Sequence, residues 1–184
     1  MKTRKFLTLA VLALGFAFTS NAQKSVMVGG AAMYPNKNII ENAVNSKDHT
    51  TLVAAVKAAD LVETLKGKGP FTVFAPTNEA FDKLPKGTVE TLLKPENKKM
   101  LQGILTYHVV AGKWSSADIA KAIKEGKGKA SIKTVAGGTI TAWMKGKDLY
   151  ISDENGNKAK VTIADVNQSN GVIHVIDAVL LPKK

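Results

Sequence analysis

The chain contains no cysteine, and its single arginine is Arg4. Without cysteine there is no disulfide, no thiolate nucleophile, no thiolate metal site and no cysteine-linked lipid anchor. Without arginine beyond position 4, the planar two-pronged donor that suits phosphates and guanine edges is missing, which argues against a nucleic-acid partner. Aromatic residues make up 6% of the sequence, so each one that appears is informative. The longest apolar run, from Phe6 to Phe18, is about 13 residues. That is shorter than the roughly 20 residues needed to cross a bilayer.

That run sits in a distinctive setting. Lys2, Arg4 and Lys5 precede it, and the small residues Ser20 and Ala22 follow it, with Gln23 next. A basic start, an apolar stretch and a small-x-small junction read as a secretory signal, with cleavage expected between Ala22 and Gln23. Cleavage would take three of the 26 basic residues and none of the 15 acids, leaving 23 lysines and a formal charge of +8. No later stretch approaches spanning length, so the processed chain is expected outside the cytoplasm without a membrane span. A domain of this size can rest on a hydrophobic core without disulfides.

Residues 23–37 read as a flexible lead, with Gly29-Gly30, Pro35 and no period. From Asn38 the pattern turns helical, with caps expected at Asn38, Asp48 and Asp60 and apolar stripes that include Ile40, Val56 and Leu65. A short apolar strand, Phe71 to Ala75, stops at Pro76, and Thr77 is placed to cap a helix from Asn78 to Lys83. Short helices are predicted from Gly87 to Leu93 and from Pro95 to Leu105. A strand from Tyr107 to Val110 and a helix capped by Ser115 or Ser116 follow. Beyond Gly126 the chain reads as strands, with turns at Gly137-Gly138, Gly146-Lys147, Asn155-Gly156 and Asn170-Gly171. Helices followed by a strand meander indicate one α+β domain over 38–184.

Three blocks carry the most specific signal: Phe71-Thr-Val-Phe-Ala-Pro-Thr-Asn-Glu-Ala-Phe81, Tyr107-His-Val-Val110, and Asn170-Gly-Val-Ile-His-Val-Ile-Asp-Ala-Val-Leu-Leu-Pro182. In this order and spacing the chain resembles the fasciclin domain, from about Asn38 to Pro182. The resemblance implies a fasciclin-like fold, in which two small β-sheets form a wedge with helices packed on one side. It also implies an extracellular binding or adhesion module rather than an enzyme.

On that resemblance, Tyr107 and His108 match a tyrosine–histidine motif tied to adhesion in animal members. Asp165 and Val166 align with an adhesion motif that this chain matches in part, since Ala164 stands where those members have proline. The same residues also suit packing, because a Tyr and a His at an apolar strand bury their bodies and satisfy their polar tips. His174, inside Val-Ile-His-Val-Ile, reads as a structural histidine in a polar core, with Thr77 or Asn78 as its expected partner. His49, His108 and His174 lack the spacing of a metal site, and no cofactor is expected. No Gly-x-Ser-x-Gly elbow or phosphate-binding loop is present. Asp118, Glu125, Asp153 and Glu154 read as surface charge.

Two function classes remain. One is adhesion to a surface or matrix protein or glycan, with an anionic polymer as a further candidate partner, although the scattered lysines read first as solvated helix and loop faces. The other is an extracellular carrier of an apolar small molecule such as a carotenoid or lipid, held in a groove with Trp114, Trp143 or Met144.

Overall fold

Short helices pack on a ribbon of strands in the computed structural model, which describes residues 24–183. The signal segment and its Ala22–Gln23 junction lie outside the described residues. In chain order the elements are β1 (Val26–Val28), β2 (Ala31–Met33), α1 (Ile39–Ala43), a 3-10 turn (Lys47–His49), α2 (Thr50–Ala58), α3 (Val62–Lys66) and β3 (Phe71–Pro76). Next come α4 (Asn78–Asp82), α5 (Thr88–Leu92), a second 3-10 turn (Pro95–Asn97), α6 (Lys98–Tyr107), β4 (Val109–Ala111) and α7 (Ser116–Glu125). Four strands then lead to the last: β5 (Ala130–Lys133), β6 (Thr139–Lys145), β7 (Asp148–Ser152), β8 (Lys158–Gln168) and β9 (Gly171–Ile176).

Side-chain caps start α1, α4 and α7; the caps expected at Asp48 and Asp60 do not form, because Asp48 lies inside the 3-10 turn and α2 and α3 follow His49 and Leu61 with no side-chain cap. Asn38 accepts from the Glu41 N–H while Glu41 reaches back to the Asn38 N–H, and Ser115 and Asp118 repeat that reciprocal box at α7. Thr77 accepts from the Ala80 N–H at the start of α4, as its position after Pro76 predicted.

The seven strands after the first hairpin run in the order β4-β3-β9-β8-β7-β6-β5. Only β3 and β9 pair in parallel, with Phe71 opposite Gly171 and Pro76 opposite Ile176. The long β8 gives the ribbon its wedge. Its first residues pair with β7, its last with β9, and register shifts between Val161 and Ile163 and between Ile163 and Val166 bend it. Two cores result. One lies between α1 to α6 and one face of β3 and β9, through Leu52, Val56, Leu105, Val73 and Ile173. The other fills the wedge between α7 and the inner faces of β5 to β8, through Ile119, Ile123, Ile140, Ile151 and Phe74.

Two sequence expectations change. The lead over 23–37 is not wholly flexible: β1 and β2 form a hairpin, and Val28 and Met33 are 1% exposed because they join the helical core. Tyr107 does not start a strand. It is the last residue of α6, His108 is the helix cap, and only Val109 begins β4.

Candidate functional site

The sequence candidates fall in separate polar clusters at the end of α6, at the β8 bulge and at the end of β3. Tyr107 is fully buried at the end of α6. Its hydroxyl donates to the Thr139 carbonyl at 2.7 Å and accepts from the Glu154 N–H at 3.3 Å. Burial first, with Glu154 and Asp153 nearby, pushes the phenol up to about 12. Gly138 is required beside the ring, since a Cβ there would stand 2.5 Å from Tyr107 Cε2.

His108 is 3% exposed and holds two distant segments. Its Nε2 accepts from the Leu180 N–H at 3.0 Å, so the proton sits on Nδ1, which donates to the Ile104 carbonyl at 2.8 Å. Burial pulls this imidazole down to about 4. His174 is wholly buried, its ring stacked on Phe74 with centroids 5.6 Å apart. Its Nδ1 accepts from the Asp165 N–H at 3.3 Å, and Nε2 donates to the Trp114 carbonyl at 2.8 Å. Neither Thr77 nor Asn78 partners it. Thr77 caps α4, and Asn78 binds Thr50, the Thr51 N–H and the Lys47 carbonyl. A backbone carbonyl and a backbone N–H complete the histidine instead. His49, also buried, faces Ser46 Oγ at 2.9 Å through Nδ1. Burial lowers the pKa of both His49 and His174.

Asp165 sits at the β8 bulge with φ of 58°, a left-handed conformation uncommon for a side-chain-bearing residue. Its carboxylate accepts from the Ser116 N–H at 2.7 Å and from the Ser116 hydroxyl, tying β8 to the first turn of α7. Val166 is fully buried in the helical core. Tyr107 and His108 close the end of α6, while Asp165 and Val166 lie at the β8 bulge, each pair with its own partners. Tyr107, His108 and Val166 offer no surface, and the Asp165 carboxylate is already engaged.

Several residues that organise this region escaped sequence reasoning. Asn170 accepts from the Ile39 N–H and donates to the Leu65 and Gly67 carbonyls, pinning two helix ends to the β8–β9 turn. Asp153 is 5% exposed rather than a surface charge. It accepts from the backbone N–H groups of Asn155, Asn157 and Leu181. Its place just before the Asn155-Gly156 turn was the only local signal.

One enclosed apolar crevice, about 70 Å³ in volume, opens between α1, α2, α3, α6 and the β3–β4 edge. Ile40, Leu52, Val56, Leu65, Phe71 and Leu105 form its walls, with exposed Lys57 and Val135 among its lining residues. Of the polar side chains that reach it, two are engaged elsewhere: His108 as described, and Thr106 on the Gln102 carbonyl at 2.7 Å. The apolar groove expected around Trp114, Trp143 and Met144 does not form. Trp114 packs against the wedge core, Met144 borders an open mixed groove beside α7, and Trp143 belongs to neither core. Among the described residues, no three His, Asp or Glu side chains cluster as a metal site, and no helix is long and apolar enough to cross a membrane.

A bent sheet ribbon with a helical layer, a wedge helix and an inward-facing Tyr-His pair defines the class. The fasciclin domain model matches residues 47–182, and the chain belongs to the fasciclin domain family. The Synechocystis protein sll1483 is 47% identical over 182 residues, covering 96% of this chain and 94% of that one. The immunogenic protein MPB70 of Mycobacterium bovis is 38% identical over 145 residues, covering 76% of this chain and 66% of that one. The cell surface glycolipoprotein MPB83 of the same species is 34% identical over 166 residues, covering 88% and 68%. A solved FAS1 domain pair from the insect cell adhesion molecule fasciclin I shares the fold, with a TM-score of 0.70 at 19% identity over 79% of this chain. The chain spans about half the length of that structure.

Proposed function

We propose that this protein is an exported, non-catalytic binding module that mediates adhesion at a cell surface or in an extracellular matrix. The observation that carries the reading is the fate of its reactive-looking groups. His108, His174, Tyr107 and Asp165 are all engaged by backbone or side-chain partners, and burial keeps the two imidazoles neutral near pH 7. None of these four is left as a free general base or nucleophile, and function falls to the surfaces. The family membership and the surface location named for MPB83 support the same reading. Affinity capture with the folded protein from native culture medium and cell envelopes tests it. Saturable retention of a surface protein or glycan is expected. Loss of all retention, or turnover of a captured molecule, would overturn it.

The apolar crevice favours a second reading, carriage of an apolar small molecule. Its walls are mostly hydrocarbon, and at about 70 Å³ it has room for one end of an apolar chain or ring system rather than for a whole pigment or lipid. Protein purified from the native source and extracted with organic solvent should then release a stoichiometric pigment or lipid. An empty extract together with failure to bind an apolar fluorophore would dismiss this reading.

A further inference from the structure

The outer face of the β5 to β8 sheet is a surface that neither core uses. Alternation decides what it carries. The inward residues Ala130, Ile132, Ile140, Ala142, Leu149 and Ile151 are all in the wedge core against α7. Their neighbours along each strand point the other way. Register lines these neighbours up in rows. One row runs Ser131, Thr141, Ser152, Lys158. The next runs Trp143, Tyr150, Lys160, and beyond it Lys145 stands opposite Asp148.

Two features set this face apart. Trp143 and Tyr150 stack with centroids 5.8 Å apart and planes within 19°, forming an aromatic ridge. The chain has only two tryptophans and three tyrosines, so their pairing on a face outside both cores is not explained by core filling. A cross-strand aromatic pair does stabilise a sheet. That role accounts for the pair but not for its surroundings. Lys133, Lys145, Lys158 and Lys160 share the face with Asp148, which already engages Lys160 at 2.8 Å, while Asp177 lies at the margin on the Lys160 N–H. The rest of the row is hydroxyl.

We infer that this face binds an acidic, uronate-bearing polysaccharide. The inference rests on the adhesion-module reading and names its partner chemistry. Aromatic rings offer an apolar surface to the C–H faces of pyranose rings. Serine and threonine hydroxyls exchange hydrogen bonds with sugar hydroxyls in either direction. The lysines complement carboxylates repeated along a polymer. A protein partner fits less well, because lysine is depleted from protein interfaces. Single-stranded nucleic acid shares the stacking and charge requirement, but the described chain offers no arginine for phosphate, so nucleic acid becomes an outcome of the test.

Alginate oligosaccharides, neutral dextran oligosaccharides and oligo-thymidine are titrated against the folded protein by calorimetry. Binding of alginate, at least tenfold tighter than either alternative, is expected. Trp143→Ala should weaken it at least tenfold at a temperature where the variant, which also loses the cross-strand pair, is still folded. Should that variant fold poorly, Lys145→Gln/Lys158→Gln carries the test. It should weaken binding and flatten its salt dependence, while Lys121→Gln/Lys124→Gln on α7, with the same charge loss, should not. No alginate binding, equal binding by oligo-thymidine, or equal loss in both lysine pairs would overturn the proposal. If native envelope material still binds the wild type and the Trp143→Ala variant alike, the sheet-face site is wrong and the adhesion reading stands. If the wild type binds no envelope material, the adhesion reading itself falls.

Discussion

The Asp165 N–H donates to His174 Nδ1 across the β8–β9 pair, and that single bond fixes which nitrogen of the buried imidazole carries the proton. With the proton on Nε2, His174 satisfies the Trp114 carbonyl at the entrance to α7. Asp165 meets the same helix from its side chain, through Ser116. A closed loop of contacts therefore joins β8, β9 and the start of α7.

Removing the imidazole opens that loop. His174→Ala leaves a carbonyl and an N–H without partners in a buried site and should cost about 1–3 kcal/mol. Urea melts of the wild type and variant measure it. An unchanged midpoint would show that water replaces both bonds freely.

Acid should weaken the fold through its buried imidazoles. His108 has a folded pKa of about 4 against an ordinary 6.5, because burial disfavours the charged ring. A lowered folded pKa means the unfolded chain binds the extra proton first. Stability is therefore full above about pH 6.5 and falls as pH drops toward 4, by about 3 kcal/mol for this residue. The neighbouring Asp153 opposes the shift, while buried His49 and His174 act in the same direction as His108. Unfolding midpoints at pH 7.5, 6 and 4.5 should fall in that order, and a flat profile would contradict the buried, neutral assignment.

Asp165→Ala should behave as a lost helix cap rather than a lost contact residue. It removes both acceptors of Ser116 and leaves alanine at a positive φ, so a cost of about 1–2 kcal/mol is expected. Binding to native surface material, measured at a temperature where the variant is folded, should persist. Lost binding at an unaltered thermal midpoint would restore Asp165 as an interface residue.

Gly138→Ala probes the packing of Tyr107. The added methyl meets the ring edge at 2.5 Å, and the ring is held by the Thr139 carbonyl. Overpacking of this kind costs about 1–3 kcal/mol. Pairing it with Tyr107→Leu should recover part of the loss in a double-mutant cycle, and strict additivity would argue against the contact.

Local chemistry was legible and long-range partnership was not. Thr77, Ser115 and Asn155-Gly156 mark their helix starts and turn because capping and turn formation involve neighbours in sequence. Tyr107 and His108 were assigned to a strand because neither glycine nor proline marks the end of α6, and apolar residues run through it into β4. The partner of His108 is the Leu180 N–H, 72 positions away. That of His174 is the Trp114 carbonyl, 60 away. A backbone group carries no identity, so no sequence pattern points to it. The first hairpin carries little signal because three-residue strands show no periodicity, and it is held by the burial of Val28 and Met33, by the Lys47 N–H on the Gly29 carbonyl and by Asn42 on the backbone of Tyr34. The fold class survived these misreadings because it depends on element order, whereas the site depends on which elements touch.

The parallel pairing of β3 with β9 sets the timing of folding. β3 emerges at Phe71, but its central neighbour is complete only at Ile176, and both cores draw residues from that last strand. The helices can form early, yet neither core can close until nearly the whole chain is available. Contacts this distant in sequence form slowly and only after a large loop has closed. A chain ending at Gln168 should therefore stay open and protease-sensitive, while one ending at Pro182 folds, and limited proteolysis of the two would show it. With β9 the last strand to be made, the domain stays an open chain through most of its own synthesis.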